Sequence, residues 1–162
     1  MGRKSNQPKE TDEIRALLEA YKNLQRRIDN AEERLAFLEE SLFSPSSSGL
    51  SGMSGGSRDR SSKQERNYIK KEELARKLDE MNAEENRLRE EIEGLVELME
   101  NPDYQTAIEM RYFDGVSWRT INAALHGGEE DFEAEEERYL KRTHRIHGRA
   151  LQTLAKIYGR EE

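Results

Sequence analysis

The chain has 162 residues, a net charge of −7 at pH 7, 33% hydrophobic and 38% charged residues, and no cysteine. An apolar share this low excludes one large core and fits long solvent-wrapped helices beside a small packed domain. The missing cysteines exclude a disulfide framework and a thiolate zinc site; no apolar run approaches the ~20 residues of a membrane span.

Met1 to Glu10 is polar and carries no secretory signal, so a disordered tail over residues 1–10 and a cytoplasmic location are expected. From Thr11 the pattern becomes periodic. Ile14, Leu17, Tyr21, Leu24, Ile28, Ala31, Leu35, Leu38 and Leu42 step by three and four, the spacing of a coiled-coil seam. Thr11 and Asp12 supply start signals. Residues 44–62 are rich in Ser and Gly, with one Pro, and read as a flexible linker. A second long helix is predicted from Gln64 to Glu100, with its seam at Leu74, Leu78, Met81, Glu85, Leu88, Ile92, Leu95 and Met99. The single polar member, Glu85, is a register device or a wet patch of the seam. Residues 11–100 therefore read as an antiparallel coiled-coil helical hairpin. The same seams would also serve a homodimer, and periodicity does not choose between the two.

Asn101-Pro102-Asp103 combines a capping Asn, a Pro at the first helical position and an acid at the positive helix end. It opens a helix through Tyr104, Ala107, Ile108 and Tyr112 that stops at Asp114-Gly115. Ser117 is the next N-cap, with Val116 and Ile121 placed for a hydrophobic staple. Trp118, Ile121, Ala124 and Leu125 give the following short helix an apolar face, and His126-Gly127-Gly128 ends it. Residues 129–137 then hold seven acids. They read as a solvated helix start, as an electrostatic mask over nearby cations, or as a contact for a basic partner.

Arg138 to Arg160 reverses the balance, with seven Lys and Arg and no acid. On a helical wheel Arg138, Arg142, Arg145, Arg149, Gln152 and Lys156 cluster within about 40° of the Arg138 direction. Tyr139, Thr143, Ile146, Ala150, Leu154 and Ile157 take another side. One face would pack on a core while the other presents guanidinium groups to an anion. A short helix, a turn and a basic amphipathic helix make the order of a helix-turn-helix, whose second helix enters the major groove of double-stranded DNA. The candidate DNA-binding residues are Arg119, Arg138, Lys141, Arg142, His144, Arg145, Arg149 and Lys156. Those near the helix start would face base edges, whereas Arg149 and Lys156 would clamp phosphates and Arg119 would meet the backbone. His144 and His147 are spaced for a metal, but no third ligand is visible and His147 falls near the apolar side. A packed His147 is expected, with no metal and no cofactor. No nucleophile elbow, P-loop or metal-binding His-Glu pair is present, so no enzymatic activity is expected.

The stretches EMRYFDGVSWRTI (109–121) and HRIHGRALQTL (144–154) resemble the sigma-70 region 4-like helix-turn-helix of small phage and prophage regulators of the RinA/ArpU type. The resemblance is specific over residues 101–125 and 143–158 and general before them. It implies an all-α protein with a DNA-binding domain over 101–160, acting on phage promoters inside a bacterial host, with the host RNA polymerase as a candidate partner. Two features depart from that group: Arg119-Thr120 replaces the usual acid after the Trp, and residues 127–137 lengthen the turn. A small terminase subunit and a protein-interaction module docking on polymerase or phage components are the alternative readings.

Overall fold

The computed structural model describes residues 10–43 and 57–161. The disordered tail predicted for residues 1–10 and the linker over 44–56 lie outside the described residues, apart from Glu10. Among the described residues the protein is helical, without a strand. Helix α1 spans Asp12–Phe43, α2 Ser57–Glu97, α3 Pro102–Ile108, α4 Trp118–His126 and α5 Glu136–Glu161. A π-helical turn, Glu109–Phe113, continues α3. Helix α2 begins seven residues before the predicted Gln64, so residues 57–62 are helix rather than linker.

Helix α1 starts where Arg15 donates its backbone N–H to the Thr11 carbonyl at 2.9 Å, with Asp12 and Glu13 at its positive end. Helix α2 stops at Glu97, three residues short of the prediction. Gln105 donates through Nε2 to the carbonyls of Val96 at 3.2 Å and Met99 at 2.9 Å, occupying acceptors at the helix end. The predicted caps are present beyond it. Asn101 Oδ1 accepts the Asp103 N–H at 2.9 Å, and Pro102 stands at the first helical position. The π turn closes by an i→i+5 bond from Asp114 N–H to the Glu109 carbonyl at 3.0 Å. Gly115 follows at φ 65°, a left-handed conformation that favours glycine and halts the helix at the predicted place.

Residues 10–23 and 87–161 belong to one compact unit and residues 24–86 to another. The first unit has a single core, in which Ile14, Leu18 and Tyr21 of α1 meet Ile92, Leu95 and Val96 of α2. Ile108, Tyr112, Ala150, Leu151 and Leu154 of the C-terminal helices complete it. Glu100-Asn101-Pro102, read from sequence as a domain boundary, is a bend inside this unit. In the second unit the predicted seam residues Leu24, Ile28, Ala31 and Leu74 are buried. Residues 27–34 of α1 and 74–81 of α2 line one shallow groove there, and Lys71 pairs with Glu39 at 3.9 Å.

Candidate nucleic-acid interface

Helix α5 is two-faced. Tyr139, Thr143, Ala150, Leu151, Leu154 and Ala155 are buried, while Arg138, Lys141, Arg142, Arg145, Arg149, Gln152 and Lys156 are exposed. A helix of 26 residues with that spacing sets its charged row along one side. The helix begins at Glu136, two residues before Arg138, so Glu136 and Glu137 form its first turn and favour its dipole. Residues 127–135 are a chain of turns. They are closed by Glu129 N–H to the His126 carbonyl (3.0 Å), Phe132 N–H to Glu129 (3.1 Å) and Glu135 N–H to Asp131 (2.9 Å).

Helix α4 packs on α5 through a face that hydrophobicity alone does not reveal. Ile121, Asn122 and His126 are its buried residues, and Ala124, placed on the apolar face by the wheel, is exposed. Asn122 is fully buried. Its Nδ2 donates to the Glu136 carbonyl at 3.2 Å, and its Oδ1 accepts the Thr143 hydroxyl at 2.8 Å. One side chain thereby fixes the start of α5 against α4. Ser117 caps α4 through the Thr120 N–H at 3.3 Å, and the Thr120 hydroxyl lies 3.0 Å from Ser117 Oγ in place of a capping-box acid.

The aromatic residues between the helices form a second cluster. Trp118, expected in the core, is half-buried. Its ring stands 4.6 Å from His144 and 4.8 Å from His147, with the Arg111 guanidinium 4.6 Å from its centroid. His144 is exposed but lies off the basic row, against Trp118. His147 is packed, as expected, with Nε2 3.0 Å from the Tyr112 hydroxyl. Burial, aided by the Arg15, Arg111 and His144 charges, lowers its pKa to about 4. Burial also raises the Tyr112 pKa, with Glu19 assisting, so the phenol keeps its proton and donates to a neutral ring. His126 is lowered too, by burial first and then by Arg142, and its Nε2 has no partner among the described residues.

The His147 shift has a pH consequence. The unfolded ring protonates near 6.5 and the folded ring near 4, so between those values the unfolded chain holds more protons. Stability present above pH 6.5 is therefore lost as pH falls. Allowing for partial exposure, the loss between pH 7 and 5 should be about 1 kcal/mol. Denaturant titrations at several pH values check it. The stability advantage of wild type over His147→Gln should shrink across that range, and a constant difference would remove the assignment.

Two predicted cations, Arg119 and Arg138, are paired with acids. Arg119 Nε and Nη2 each lie 3.3 Å from Glu136 Oε1. Arg138 reaches Asp131 at 3.0 Å and Glu135 at 4.0 Å. Asp131 also accepts the Tyr139 hydroxyl, which, ahead of Arg138, holds its carboxyl below the usual carboxylate range. Arg142 lies 5.5 Å over the Tyr139 ring. The Tyr139 bond to Asp131 and the buried clamp Asn122 were not identified from sequence, whereas Asp131 itself lies in the acidic stretch read there as a mask over cations. Among the described residues no three His, Asp or Glu side chains gather to hold a metal, and no helix is long and apolar enough to cross a membrane. No known protein family, no curated protein and no solved structure matches the chain.

Proposed function

We propose that this protein is a DNA-binding regulator of phage or prophage promoters, reading duplex DNA with α5. In this reading α4, the 127–135 connection and α5 act as a region 4-like helix-turn-helix, and the α1–α2 seams form an antiparallel coiled-coil hairpin that also offers a dimer surface. The carrying observation is the exposed row Arg138, Arg142, Arg145, Arg149 and Lys156 backed by a buried opposite face. Such a row neutralises phosphates, and arginines among it make bidentate contacts to guanine. The function is binding, with no catalytic step.

Fluorescence anisotropy with duplex DNA over a salt series tests the reading. Wild type should bind with a steep salt slope. Arg142→Ala/Arg145→Ala should bind roughly 100-fold more weakly, each lost contact costing about 1–3 kcal/mol, with the slope reduced by about two. No binding by wild type at low salt would leave the interaction-module reading. The 24–86 unit favours that second reading at one point: Phe37 and Phe43 are 69% and 79% exposed there, and Tyr68 and Ile69 of the same unit are exposed too. Host polymerase is then the candidate partner.

A further inference from the structure

We infer that residues 131–136 are an internal phosphate mimic, which holds Arg119 and Arg138 until DNA displaces it. The inference rests on the DNA-binding reading and assigns that surface a regulation of its own. Asp131, Glu135 and Glu136 present carboxylate oxygens to the two arginines that flank the start of α5, at 3.0 to 4.0 Å. Carboxylate and phosphate oxygens satisfy a guanidinium through the same charge-assisted bonds, so acid and phosphate compete for one donor set.

The acids are held in place. Tyr139 donates to Asp131 from the buried side of α5, and its ring meets those of Phe132 at 5.9 Å and His126 at 5.2 Å in tilted pairs. Asn122 binds the Glu136 carbonyl from α4, and the turn bonds close the stretch between. The segment is thus fastened through its backbone and through Tyr139, while its acids face outward to Arg119 and Arg138. Those pairs are exposed, with arginine side chains 80% and 59% accessible. Exposed pairs are weak, so a duplex that supplies several phosphates together can replace them. The remaining cations, Lys141, Arg142, Arg145, Arg149 and Lys156, would make the first contact, and Arg119 and Arg138 would join once released. A site covered this way discriminates against isolated anions and favours a polyanion long enough to span the helix.

The test compares two variants of equal charge change in the full chain. Asp131→Asn/Glu136→Gln removes the two closest partners. Glu130→Gln/Glu133→Gln removes exposed acids of the same segment that no arginine is paired with among the described residues. At low salt the first should bind duplex DNA about ten-fold more tightly than wild type, with a salt slope steeper by between one and two. The second should gain no more than about three-fold from the general field. Adding Arg119→Ala/Arg138→Ala should erase the excess gain of the first variant. Circular dichroism and thermal melting confirm that all variants fold, and Asp131→Asn alone, which keeps an acceptor for Tyr139, serves if the double variant does not. Equal gains from the two variants would overturn the mimic and leave the DNA reading intact. A gain that survives loss of both arginines would overturn it too. Absence of binding by wild type and by both acid variants would overturn the mimic together with the DNA reading.

Discussion

Tyr21→Ala is expected to destabilise the protein by about 4 kcal/mol, the range for a large buried aromatic. Tyr21 is fully buried, and its ring meets Phe113 edge-to-face at 5.4 Å and 88°. Such a pair adds about 0.5–1.5 kcal/mol to the burial itself. The residue belongs to α1, yet it shares one core with Tyr112, Leu151 and Leu154 of the C-terminal helices. The same core makes a stronger forecast for a fragment of residues 101–162. Ile108, Tyr112, Leu151 and Leu154 would lose Ile14, Leu18, Tyr21, Ile92, Leu95 and Val96, and the fragment should melt without a cooperative transition. Leu35→Ala, at a half-buried seam position, should cost only about 1–2 kcal/mol. Thermal and denaturant unfolding followed by circular dichroism measure all three. A Tyr21→Ala loss below about 1 kcal/mol, or a cooperative fragment, would contradict the shared core.

The dependence of the basic helix on the base of α1 was written in the sequence only faintly. The heptad seams predicted α1 and α2 because a/d spacing needs no tertiary knowledge, and Asn101-Pro102 and Ser117 predicted helix starts through local bonds. Leu18 and Val96 stand off those seams but are fully or almost fully buried. A residue beside the seam is superfluous for a two-helix pair and makes sense only where a third layer packs on it. The site divides in the same way. The basic row of α5 was legible from spacing within one helix. Its ion pairs were not, since Arg119 and Glu136 lie seventeen residues apart and meet only when α4 packs on α5. The start of α5 at Glu136 falls inside the acidic stretch that also reads as a solvated helix start, two residues before the Arg138 from which the cationic spacing begins. The extension of α2 back to Ser57 runs through Ser-Arg-Asp-Arg-Ser-Ser, where propensity and composition favour a linker.

Asn122 carries the second large expectation, and it concerns the contact between α4 and α5. Asn122→Ala is expected to cost about 3 kcal/mol, more than the volume removed would suggest, because it leaves two buried groups unpaired. The Thr143 hydroxyl loses its acceptor and the Glu136 carbonyl loses its donor. Thr143→Val should cost about 1 kcal/mol, since one Asn122 bond remains. Thr143 and Asn122 share a bond, so the double variant should cost about 1 kcal/mol less than the sum of the singles in a double-mutant cycle. An additive result would mean that the two side chains do not meet. DNA binding separates a lost fold from a lost register. Under conditions where Asn122→Ala is still folded, the proposed reading expects weaker binding, because the first turn of α5 is no longer tied to α4. Arg119 and Arg138 flank that tie, whereas Arg149 and Lys156 lie further along the same helix. Loss of affinity should therefore be accompanied by phosphate contacts retained at the far end, visible as a salt slope that falls by no more than about two. An unchanged affinity in folded Asn122→Ala would show that the helix presents its cations without the clamp.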